Sequence, residues 1–186
     1  MTGFHSAVVL DACVLVNYSL CDTLLRLAES PRLFVPKWSG EIIREAARTL
    51  ESKLDWPPTL VEHLEAQLRI HFADAWISGY EALIPKMTND KKDRHVAAAA
   101  IHGGAPIIIT FNLRHFRAEH LQPWSLQAIH PQDFLIRLFE ADPELVMSKL
   151  TRQAADRSRS LTQLLRVLRL TVPNFATLVE VAVQAR

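Results

Sequence analysis

A run of apolar residues, Ala7-Val8-Val9-Leu10, stops at Asp11, and far downstream a second, Ile107-Ile108-Ile109, stops at Thr110-Phe111-Asn112. Short apolar runs bounded by polar residues read as buried strands. Helical patterns fill the intervals between such runs, and this alternation selects an α/β fold with a parallel sheet. Ligand sites in open parallel sheets lie outside the carboxyl ends of the strands. Asp11, Thr110 and Asn112 therefore fall where a site is expected.

The element pattern can be read further. Leu15, Tyr18, Leu24, Leu25 and Leu27 predict a helix from Val14 to Ala28, with Asp22 a candidate cap if it breaks between Asn17 and Cys21. Leu33-Phe34-Val35-Pro36 reads as a short strand. Ser39 reads as the N-cap of a helix to Lys53, with Ile42, Ile43, Ala46 and Leu50 on one face. Pro57-Pro58 opens a helix to Phe72, and Ala82-Leu83-Ile84 reads as a strand. Residues 90–103 predict an alanine-rich helix stopped by Gly103-Gly104. Residues 106–110 and 126–129 predict strands, and Pro131 starts a helix through Phe139. Beyond Glu140 the pattern is helical only, with starts at Asp142-Pro143, Ser160 and Pro173. The expected division is an α/β domain, 1–140, and a helical extension, 141–186.

Composition narrows the function classes. The 186 residues are 49% apolar, and 21 Lys and Arg face 20 Asp and Glu for a formal charge of +1. That is not the footprint of a protein that coats duplex nucleic acid. Cys13 and Cys21 are expected in one helix, eight residues apart and unable to pair, which fits a reducing cytoplasm. Neither a signal peptide nor a membrane-spanning apolar stretch is read. The basic bias of the extension has two readings, a solvated face or a contact surface for RNA or a partner.

The carboxylates carry the chemistry. Glu45 lies on the line Ile42, Glu45, Thr49, beside the buried face of its helix. Asp90 and Asp93 are three apart and share one side of a helix start; Ala97-Ala98-Ala99-Ala100 behind them lets that helix sit closely on a sheet. Capping of neighbouring helices is the competing reading for Asp11, Asp90, Asp93 and Asn112, and solvation for Glu45. Several carboxylates at one rim repel one another and call for a hard cation, Mg²⁺ or Mn²⁺. Such an ion polarises a phosphodiester and activates water. Thr110 and Asn112 offer short polar groups for a bound water or a phosphate. Lys91, Lys92, Arg94, Arg114, His115 and Arg117 surround the rim, where they either neutralise the phosphates of a single strand or are merely solvated. Other chemistries lack their residues: there is no Walker A loop, no GxGxxG, no GxSxG, and no zinc spacing around His95 and His102.

The three segments Leu10-Asp11-Ala12-Cys13-Val14-Leu15, Asp90-Lys91-Lys92-Asp93-Arg94-His95-Val96-Ala97-Ala98-Ala99 and Ile108-Ile109-Thr110-Phe111-Asn112-Leu113-Arg114-His115-Phe116, in this order, resemble PIN-domain ribonucleases. Within them the chain is similar to VapC-like toxins of bacterial type II toxin–antitoxin modules, in the subgroup with a helical C-terminal extension. Residues 143–175 resemble that extension. The resemblance implies a three-layer α/β/α fold with a parallel sheet. It implies Asp11, Glu45 and Asp93 as metal-holding catalytic acids, with Glu41 a competitor for the place of Glu45 and Asp90 an accessory ligand. Asn112 stands at the position of a common fourth acid and His115 where related chains show Asp, which suits a single-metal site with Asn112 as a neutral ligand through water. The implied activity is hydrolysis of RNA by water that Mg²⁺ or Mn²⁺ activates, with a cognate antitoxin over the groove and pairing as a homodimer. Two further readings stay open: a PIN-type RNA-processing nuclease, and a non-catalytic PIN-like module that binds RNA or protein.

Overall fold

The computed structural model describes residues 6–185. In chain order its elements are β1 (Ala7–Leu10), α1 (Ala12–Leu15), α2 (Tyr18–Ala28), β2 (Val35–Ser39), α3 (Gly40–Leu54), α4 (Pro58–His71), β3 (Trp76–Ile77), α5 (Arg94–His102), β4 (Ile107–Ile109), α6 (Ala118–Leu121), β5 (Gln127–Ile129), α7 (Pro131–Ala141), α8 (Pro143–Ala155), α9 (Leu161–Leu168) and α10 (Pro173–Gln184). Short 3-10 turns link several of them. The five strands form one sheet in the order β3-β2-β1-β4-β5, and every pairing is parallel. The expected α/β class, with a parallel sheet and a helical C-terminal region, is the architecture found.

The chain forms two compact units, one of residues 6–16 and 35–129, the other of residues 17–34 and 130–185. The first holds the whole sheet. Val8, Val9, Leu10, Ile108 and Ile109 are fully or almost fully enclosed, as strands covered on both faces must be. Strand order reverses direction at β1. The chain moves outward through β2 and β3, then returns to lay β4 on the other side of β1 and β5 beyond it. The register pairs Leu10 with Ile109, so the residues that follow, Asp11 and Thr110, leave the sheet side by side at this switch point.

Helix α5 packs on β1, β2 and β4, and Ala97, Ala98, Ala99 and Ala100 are completely buried. The absence of bulk beyond Cβ permits this close approach, which carries the start of α5 to the same rim. Gly104, at φ +62, supplies the left-handed turn that ends the segment. Helix α3 begins where expected: Ser39 Oγ accepts from Ile42 N at 3.2 Å. Its buried stripe is Ile42, Ile43, Ala46 and Leu50.

The second unit gathers α2 and α7–α10. Phe34 meets Phe134 edge-on at 5.0 Å between centroids, and Phe139 meets Phe175 at 6.4 Å. Gln153 is buried there with its polar atoms used, accepting from Thr23 Oγ1 at 2.8 Å and donating to Ser19 O at 3.2 Å. Such pairing is what makes a buried amide tolerable. Ser160 and Gln163 close a reciprocal capping box at the start of α9.

Four expectations are corrected. Ala82-Leu83-Ile84 is not a strand but part of a 3-10 helix, Glu81–Lys86, interrupted by Pro85, which has no N–H for a sheet ladder. The edge strand is Trp76–Ile77, only two residues long. The strand expected at 33–36 begins at Val35 and runs on to Ser39. Cys13 and Cys21 occupy separate helices, because Asn17 caps a new one through Oδ1 on Leu20 N at 3.3 Å; both thiols are free. Asp22 is no cap but an ion-pair partner, 2.9 Å from Arg26 and 3.0 Å from Arg157.

Candidate functional site

Asp11 is 2% exposed and fixed from several directions. Its backbone N–H continues the sheet ladder to Ile109 O at 3.1 Å. Oδ1 accepts from Ala12 N at 2.7 Å, which makes Asp11 the N-cap of α1 as well as a rim acid. Oδ2 accepts from Thr110 Oγ1 at 2.6 Å and from the Cys13 thiol at 3.2 Å. Burial nevertheless pushes the Asp11 carboxyl above its ordinary range; these hydrogen bonds offset part of the rise and the charge of Glu45 adds to it. The capping and rim readings of Asp11 are thus two uses of one carboxylate.

Asp93 is also buried, at the junction of a 3-10 turn (Lys91–Asp93) and α5. Burial raises its carboxyl too, a hydrogen bond from His115 opposes this, and the charges of Asp11 and Asp90 push it further up. The His115 bond is short, Nδ1 to Oδ2 at 2.8 Å. Arg114 Nε donates to the other ring nitrogen, Nε2, at 3.1 Å. Nε2 is then the acceptor, so in the neutral ring Nδ1 carries the proton and donates to Asp93. Asp90 caps the 3-10 turn, accepting from Lys92 N at 3.0 Å, while its own N–H reaches His115 O at 3.3 Å. One ligand atom each from Asp90, Asp93 and His115 lie within 4.8 Å of one another.

Glu45, half-exposed on α3, faces His95 on α5. His95 Nδ1 lies 2.9 Å from Lys92 O and Nε2 lies 3.5 Å from Glu45 Oε2, an ion-pair separation too long for a good hydrogen bond. That Nε2 is buried without a hydrogen-bond partner. Proximity to His95 draws the Glu45 carboxyl below its ordinary range, against the effect of burial. Burial works against charge on His95, but Glu45 and Glu41 together outweigh it and raise the ring's pKa. Glu41 itself accepts from Tyr80 Oη at 3.2 Å.

The residues expected at the site therefore divide. The charge of Glu45 reaches Asp11 and that of Asp11 reaches Asp93, while Asp90 and His115 join Asp93. Thr110 is fully buried; its hydroxyl donates to Asp11 and accepts from Asn112 N at 3.0 Å, so it orients the acid from below. Asn112 is half-exposed, with its carbonyl accepting from His115 N at 2.8 Å. Lys91, Lys92 and Arg114 are exposed; Arg94 donates to Asn89 O at 3.2 Å; Arg117 is exposed and 3.7 Å from Glu119.

Sequence reasoning missed two neighbours. Cys13 is not merely packed, since its sulfur touches both Asp11 and Thr110. Burial and the adjacent Asp11 push that thiol up to about 12, so it remains a neutral donor. Its place two residues after Asp11 at a helix start was the available signal. His95, weighed only as a zinc ligand, has its signal in lying two residues after Asp93.

The donor chemistry suits a divalent cation. Desolvated carboxylates with raised pKa values sit together, and exposed cations flank the rim. No described helix is long and apolar enough to cross a membrane.

Comparison with known proteins identifies the family. Over 105 residues the chain is 39% identical to a Mycobacterium tuberculosis (strain ATCC 25618 / H37Rv) protein named "Putative ribonuclease VapC50". The match spans 55% of this chain and 62% of that protein, less than two thirds of the relative's own length. No solved structure matches the chain. A PIN-domain family model matches residues 7–114, which include every acid of the rim. That match covers more than half of the sequence, and the chain belongs to the PIN-domain family.

Proposed function

We propose that this chain is a metal-dependent endoribonuclease of the VapC toxin type, which hydrolyses RNA phosphodiester bonds. The observation that carries the reading is that Asp11 is buried at the switch point of a parallel sheet, within electrostatic reach of Glu45 and Asp93 from two other segments. Membership of the PIN-domain family and likeness to a protein named as a ribonuclease support it.

In this reading Asp11, Glu45 and Asp93 are catalytic acids that hold Mg²⁺ or Mn²⁺, with Asp90 as a further ligand and Asn112 engaged through water. When bound, the ion supplies Lewis acidity toward the phosphoryl oxygen and lowers the pKa of water. The chain's own groups do the rest. Thr110, Cys13 and Ala12 N–H fix the rotamer of Asp11. His95 steadies Glu45 across the 3.5 Å gap. Lys91, Lys92, Arg94, Arg114, His115 and Arg117 draw in the strand by neutralising phosphates. Residues 1–140 form the nuclease domain and 141–186 its helical extension. A cognate antitoxin covers the rim, the chain pairs as a homodimer, and it works in the cytoplasm.

The test is incubation of total RNA with the pure protein and Mn²⁺ or Mg²⁺, beside EDTA and Asp93→Asn controls. Discrete fragments that vanish in both controls are expected, with activity reduced at least about a hundredfold in the variant, in the range reported for loss of a single essential electrostatic group. Cleavage undiminished by EDTA would overturn the metal-dependent mechanism. Absence of both cleavage and metal binding favours a non-catalytic module, and cleavage without growth arrest on expression favours a processing nuclease.

A further inference from the structure

We propose that His115 supplies a nitrogen ligand to the metal centre, so that this site ranks first-row transition ions above Mg²⁺. The inference rests on the reading that the rim holds a divalent cation, and it names which class of cation this chain's own residues prefer.

The argument starts from the donor set. Asp90, Asp93 and His115 bring two oxygens and one nitrogen within 4.8 Å of one another. Mg²⁺ is bound through oxygen, and carboxylates serve Mg²⁺, Ca²⁺ and Mn²⁺ alike. Imidazole breaks the tie, because it suits transition ions and adds little for Mg²⁺. A carboxylate in the place of His115 would leave an all-oxygen cluster; the histidine also makes the cluster less negative, which weakens its pull on a hard ion that sheds water reluctantly.

The local geometry makes His115 available. Its backbone is tied on both sides, with N–H to Asn112 O at 2.8 Å and C=O to Asp90 N at 3.3 Å. The ring therefore points at Asp93 from a braced turn, half-buried rather than free in solvent. In the metal-free arrangement the Nδ1–H proton occupies the line between His115 and Asp93. A cation bound at Nδ1 would take the place of that proton, which would move to Nε2 to give the other neutral tautomer. That nitrogen can then no longer accept from Arg114 Nε, and the exposed guanidinium is released from the ring. Filling the centre through His115 thus frees a cation at the rim where phosphates are expected.

Mn²⁺ is the probe, since its unpaired electrons report directly bound nitrogen. Calorimetric titrations with Mn²⁺ and Mg²⁺ and a pulsed electron-spin-echo spectrum of the Mn²⁺ form are recorded for the wild-type protein, His115→Asp and His115→Ala. Circular dichroism establishes that each variant is folded. The expected result is a nitrogen coupling in the wild type that both variants lose. The ratio of Mn²⁺ to Mg²⁺ affinity should also fall in His115→Asp. A coupling that survives in both variants would assign the nitrogen elsewhere, as to His95, and overturn the proposal. So would its absence from the wild type, an unchanged affinity ratio, or failure to bind Mn²⁺. RNA cleavage is scored separately: cleavage without the coupling sinks this inference and leaves the nuclease standing, whereas the coupling without cleavage does the reverse.

Discussion

At the scale of single residues, the rim acids trade stability for chemistry. Asp93 has a folded-state pKa raised above the ordinary 3.8. The folded state then holds its proton more tightly than the unfolded chain. Its contribution is favourable at low pH and is lost as pH rises through the folded value, so at neutral pH the ionised group is a net burden. In EDTA at pH 7, Asp93→Asn should melt several degrees above the wild type, and the gap should close as pH is lowered toward 3.8. Saturating Mn²⁺ should reverse the order, because ligand at a hundred times Kd adds about 2.7 kcal/mol to the form that binds it. Thermal melts check this, and a variant less stable than the wild type in EDTA would contradict it. The place of Asp11 at the end of a buried strand was legible in the sequence, because an apolar run that stops at an acid carries a signal. The pairing of His95 with Glu45 was not, since it depends on how α3 and α5 approach each other in space. Likewise the role of Thr110 became clear only through its complete burial against Asp11.

At the scale of elements, caps position chemistry. Ser39 is wholly buried and caps α3, the helix that carries Glu45 less than two turns on. Ser39→Ala should cost about 1 kcal/mol of stability and loosen Glu45, seen as weaker Mn²⁺ binding in calorimetry. Binding that stays unchanged while stability falls would separate the cap from the site. Elements with strong punctuation were read correctly from sequence, such as α3 from Ser39 and α7, α8 and α10 from prolines at their starts. The two-residue strand β3 was not, because Trp76-Ile77 is too short to show a period. The apolar stretch before Pro85 mimicked a strand while forming a 3-10 helix that has one exposed side.

At the scale of the whole molecule, the C-terminal helices are structural partners rather than a loose tail. Helix α8 packs on α2, and α10 packs on α7 and α9. Leu164, Leu165, Leu168, Phe175 and Val179 are at most 1% exposed. Deleting 141–186 removes those side chains and strips the covered faces of α2 and α7, leaving Phe139 without its Phe175 partner. The truncated chain should aggregate or run as mixed oligomers on size exclusion, because newly exposed apolar patches of this kind drive association; a monodisperse, cooperatively melting product would refute this. The position of β1 at the switch point has a consequence for biosynthesis. Asp11 is made well before its Thr110 partner, which lies 99 residues later. Closing so long a loop precedes any reward from strand pairing. A chain still threading out of the ribosome therefore carries Asp11 without the hydroxyl that holds it, and the rim is incomplete until β4 has emerged and settled beside β1.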